Sequence, residues 1–173
     1  EPEVVVSEPV VEEPAVKEPA PAVAVSELPP QLERLLTDLD VYIEKMNPIA
    51  PDNINTILEQ QGVMRRILIV GLSYTDETAA RAFLRTVLEK IKTAPNGCFS
   101  YANRLRMVDS MTTISKEERV GFSRLYHAVC ELANPKTRAA TLKNIDMATL
   151  AENIGGVRGE VITTRLKQLV SNF

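Results

Sequence analysis

The chain carries a single histidine, and a thiol stands next to it. His127 and Cys130 are three residues apart in "YHAVCE", with Glu131 following. On a helix this spacing puts imidazole and sulfur on one face. Such a pair could serve nucleophilic catalysis, with the ring taking the thiol proton and a carboxylate orienting the ring. It could also give two ligands to zinc, which takes three protein ligands in a catalytic site and four in a structural one. The second cysteine, Cys98, belongs to no motif. Two ligands fall short of a zinc site, and neighbours on one helix are poorly placed for attack. The spacing therefore points to a half-buried histidine beside a buried thiol, with no catalytic, cofactor or metal residue assigned.

Other chemistry is equally thin. Gly71 in "IVGLSYTDE" lacks the glycine pattern and the Lys-Ser/Thr pair of a phosphate-binding loop. "GGVRG" at 155–159 is glycine-rich but follows a helical pattern rather than a strand. The carboxylate pairs Asp38/Asp40 and Glu117/Glu118 fall on faces that read as solvated. The expectation is a protein that is not an enzyme.

The elements that must position these residues read as helices. Leu32, Leu35, Leu36, Leu39, Ile43 and Met46 recur at three and four spacing after Pro29-Pro30, and Asn47-Pro48 ends the run. A second helix is expected from an Asp52 cap to a stop at Gly62. "VMRRILIVGLS" fits a buried strand or a buried helix, and with no strand to pair with it is read as helix. Thr75 or Asp76 opens a clean amphipathic helix through Phe83, Leu84, Val87, Leu88 and Ile91, closed by "APNG". A weaker helix lies in "CFSYANRLRMVDSM". Ser115 and Glu118 form a capping box before the next, which Asn134-Pro135 closes. Shorter helices are expected around 136–143, 147–154 and 159–171. Seven to nine helices and no β pattern make an all-α domain over 28–173.

The last stretch, "DMATLAENIGGVRGEVITTRLKQLV" at 146–170, resembles a helix-turn-helix. Ala151, Gly155 and Val161 stand at that motif's small, turn and locking positions, with Leu150 and Ile154 as core positions of the first helix. Gly156 and Gly159 depart from the pattern. The resemblance implies a recognition helix over 160–169 presenting Thr163, Thr164, Arg165 and Lys167. Arg158 and Arg165 would then contact phosphates or base edges. An ordinary helical hairpin closing the domain fits the same residues.

Residues 1–27 differ in kind. They hold eight valines, five prolines and seven glutamates against one lysine, and no glycine. Proline excludes a helix, and like charges extend the chain. An extended acidic segment is expected, with Val4, Val5, Val6, Val10 and Val11 as apolar clusters able to lie along a partner. The whole chain of 173 residues has a formal net charge of −3, yet residues 1–30 alone carry −6, leaving 28–173 mildly basic. Two cysteines are too few for a disulfide framework, so a reducing compartment is the default. No secretory signal is visible, and the longest apolar run, "ILIVGL", is far too short for a membrane span. The first residue is Glu1 rather than Met, which suggests processing or trimming. These features imply an interaction subunit of a larger homo- or hetero-oligomeric assembly, intracellular or in a virion such as a bacteriophage's. The alternative is a nucleic-acid-binding protein using 146–170. No small-molecule substrate is expected.

Overall fold

A computed structural model of the chain describes residues 28–47, 53–95 and 97–170. The described residues are all helical, with no strand. In chain order the helices are α1 Pro30–Met46, α2 Ile54–Arg65, α3 Glu77–Thr93, α4 Tyr101–Asp109, α5 Lys116–Ala133, α6 Pro135–Asn144, α7 Met147–Ile154 and α8 Gly156–Val170. A π-helical turn, Arg66–Gly71, continues α2 directly.

Local chemistry sets the helix starts. Pro30 begins α1, where its missing N–H would have had no partner anyway. Asp76, Ser100 and Asp146 each accept a backbone N–H at the heads of α3, α4 and α7. The Ser115–Glu118 capping box forms in both directions. Asn134 ends α5 and caps α6, so one side chain serves both sides of the corner. At the second helix the cap is Asn53, not Asp52, which lies outside the described residues.

One expectation is corrected here, and the helix expected over 67–72 is borne out in a more specific form. Gly62 does not stop α2, because Met64, Ile67 and Leu68 beyond it are buried in the core. That burial outweighs the roughly 1 kcal/mol that glycine costs a helix interior. The apolar run 67–72 is neither strand nor plain α-helix: most of it lies in the π-turn, which ends as Gly71 passes under the Phe83 ring with no room for a Cβ.

The core is aliphatic, with two tyrosines at its centre. Tyr42 of α1 and Tyr126 of α5 are fully buried, and their hydroxyls share a hydrogen bond of 3.0 Å. Each hydroxyl thereby meets the partner that burial demands. Helix α5 is the central element, packed by α3, α4, α6 and α7. Helix α1 packs on α2, the π-turn and α3. The C-terminal α7–α8 pair closes on α5 through α7 and on α3 through α8.

Candidate functional site

The α5 residues singled out by the sequence are gathered by Arg104 of α4. Its Nη1 donates to His127 Nδ1 at 3.0 Å, its Nη2 donates to Glu131 Oε2 at 3.1 Å, and its Nε donates to the Phe99 carbonyl at 3.1 Å. Arginine has no acceptor, so Nδ1 must offer its lone pair and the ring proton sits on Nε2. Tyr101 stacks against His127 at 5.3 Å between ring centroids, and the same guanidinium lies over the Tyr101 ring. Partial burial, and then the neighbouring Arg104 charge, push the His127 pKa below its ordinary value, with Glu131 opposing. The ring is held neutral.

Cys130 points elsewhere. Burial pushes its thiol up to about 12, so the nucleophilic thiolate is disfavoured at neutral pH. Among the described residues, no group of three or more His, Cys, Asp or Glu is placed to hold a metal ion. Arg104, His127 and Glu131 thus form a polar clamp between α4 and α5. Glu131 and His127 also border an apolar groove of about 530 Å³ floored by Ala128 and Leu150.

The 146–170 stretch does fold as two helices meeting at Gly155, whose φ of 97° is a conformation open to glycine. Ala151 and Gly159 are where the helices touch: a Cβ on Gly159 would overlap the Ala151 carbonyl. The departure at Gly159 is therefore a packing requirement of this pair. Leu150 is buried as expected, but Ile162 and Leu166, rather than Val161, form the deepest contacts of α8.

The five residues expected to meet nucleic acid divide. Arg158, Thr164 and Lys167 are exposed. Thr163 is buried and donates back to the Gly159 carbonyl at 3.0 Å. Arg165 is buried and donates to the Leu72 carbonyl at 2.7 Å, capping the end of the π-turn from 93 residues away. This corrects the expectation for Thr163 and Arg165: the packing of α8 on α3 turns their face inward. The α7–α8 groove beside the exposed residues also carries Glu152 and Glu160, so cations do not dominate it. Val4, Val5, Val6, Val10 and Val11 lie outside the described residues.

Sequence reasoning missed the unpaired arginines of another groove, between α1 and the π-turn. Arg34, Leu35 and Asp38 of α1 face Arg66 and Val70 there, around about 540 Å³. Their spacing along α1 was visible; their meeting with Arg66 depends on the turn.

No family model, no curated protein and no solved structure matches the chain. No helix among the described residues is long and apolar enough to cross a membrane.

Proposed function

We propose that the chain is a non-enzymatic structural or interaction subunit of a larger assembly, of the kind a bacteriophage virion contains. In this reading the helical body supplies docking surface and the acidic N-terminal segment runs to neighbouring subunits. One observation supports it most. The side chains fit for chemistry are spent on the fold, while large apolar side chains stand in solvent: Val157 is 78% exposed, Tyr101 62% and Ile54 50%. Tyrosine is enriched at protein–protein hot spots, and Tyr101 is the aromatic among these exposed side chains.

Sedimentation of the native protein from its source, with its co-migrating material identified, tests the reading. The expected result is a large particle of fixed stoichiometry. A monomer or small dimer whose DNA affinity falls steeply with salt would overturn it in favour of nucleic-acid binding.

A further inference from the structure

Several arginines elsewhere in the body are engaged, Arg65 with Glu118, Arg81 with Glu77, Arg104 with Glu131 and Arg165 with the Leu72 carbonyl, whereas Arg85 and Arg158 stand exposed on other faces. Arg34 and Arg66 are exposed and make no ion pair or side-chain hydrogen bond with described residues, though Asp38 stands one helical turn from Arg34. Both line the groove between α1 and the π-turn. Between them lie the buried Leu35 and the half-buried Val70. The wall carrying Arg66 and Val70 is held firmly. Ser73 Oγ donates to the Ile69 carbonyl at 2.6 Å, Arg165 caps Leu72, and Phe83 packs against Gly71. Six residues of π-helix are rare, and such turns occur frequently at functional sites. Two unpaired guanidinium groups flanking an apolar strip suit a ligand with carboxylates beside aliphatic side chains, since guanidinium pairs bidentately with carboxylate.

The chain itself carries that chemistry. Val4–Val6 and Val10–Val11 alternate with Glu8, Glu12 and Glu13. Leu28 is buried in the core and Pro29 is extended (φ −52°, ψ 146°), so the preceding segment departs at the head of α1, the helix that walls the groove. To enter its own groove the Val4–Glu13 segment would have to be turned back by residues 14–27. Residues 18–30 contain four prolines and no glycine, a composition that stiffens a linker against folding back. At roughly 3.1 Å per residue, an extended chain with the number of residues that separates positions 4–13 from Leu28 spans on the order of 50 to 70 Å. A body of this length is on the order of 40 Å across. We therefore propose that the α1/π-turn groove receives the Val4–Glu13 segment of a second copy. Copies then join head to tail, a heterologous contact that builds rings or filaments. The proposal rests on the assembly reading above and names its contact.

Sedimentation velocity of the full chain tests it. Wild type should form concentration-dependent oligomers that dissociate with added salt. R34E/R66E and, separately, E8K/E12K/E13K should dissociate at about 100-fold higher concentration than wild type or remain monomeric. R34Q/R66Q should fall between, and carries the test should the double reversal not fold. An equimolar mixture of R34E/R66E and E8K/E12K/E13K has one native contact and one charge-swapped contact in trans, and should recover oligomers that neither variant forms alone. A monomeric wild type would overturn the homotypic contact while leaving assembly with other chains standing. An oligomeric wild type unaffected by either reversal would overturn the groove. Failure of the mixture to recover oligomers, where wild type forms them, would overturn the second copy's segment as occupant.

Discussion

Two pairs of arginines divide the molecule. Arg104 and Arg165 are at least nine-tenths buried, and their guanidinium groups are bonded to His127 and Glu131 and to the Leu72 carbonyl, all far away in sequence. Arg34 and Arg66 are exposed in one groove and have no ion pair or side-chain hydrogen bond among the described residues. The same side chain is a strut in the first pair and an open contact in the second. What separates them is desolvation. A buried charge must be fully bonded or the fold loses several kcal/mol, whereas an exposed one keeps its water until a partner replaces it. Substitution in the first pair should therefore cost stability, and in the second association.

The largest effect expected is at Arg165. Arg165→Ala removes the cap on Leu72 and opens space between α8 and the π-turn, and should cost about 3 kcal/mol in urea unfolding. A cost below about 0.5 kcal/mol would show that the buried guanidinium is not a strut. Gly159→Ala comes next. The new Cβ meets the Ala151 carbonyl, and forcing α7 and α8 apart should cost about 2 kcal/mol in the same assay. Ser115→Ala breaks the capping box of α5 and should cost about 1 kcal/mol.

A smaller effect tests the clamp through pH. The folded His127 pKa lies below its unfolded value, so the unfolded chain binds the extra proton first as pH falls. This contribution is complete above the unfolded value of about 6.5 and is lost as pH drops through the folded one. His127→Gln keeps an acceptor for Arg104 without a proton site. It should flatten that part of the stability profile as pH falls below about 6.5 relative to wild type. Smallest of all, R34E/R66E should change unfolding free energy by no more than about 0.5 kcal/mol, as surface substitutions do.

How far the sequence foretold all this follows the range of the interactions. The stripes of α1, α3 and α5 and the caps at Asp76 and Ser115 are local, and spacing alone placed them. Tyr42 escaped because its role depends on Tyr126, 84 residues away. Gly62 misled because a local stop signal lost to burial of the residues after it. The π-turn has no local signature, and it arises where Phe83 and Arg165 meet its end. Arg165 looked like a phosphate contact for the same reason: its partner carbonyl is 93 residues distant. The helix pair at 147–170 was legible, but which of its faces meets solvent is decided by α3. For the groove, Arg34 and Asp38 could be placed on one side of α1, but nothing local brought Arg66 opposite them.

Hydrogen exchange on the assembled protein, compared with the salt-dissociated chain, tests the central claim most directly. The account predicts that assembly slows exchange at the groove, around residues 34–38 and 66–70, and leaves 158–167 unchanged. Slowed exchange confined to 158–167, with the groove unaffected, would contradict it.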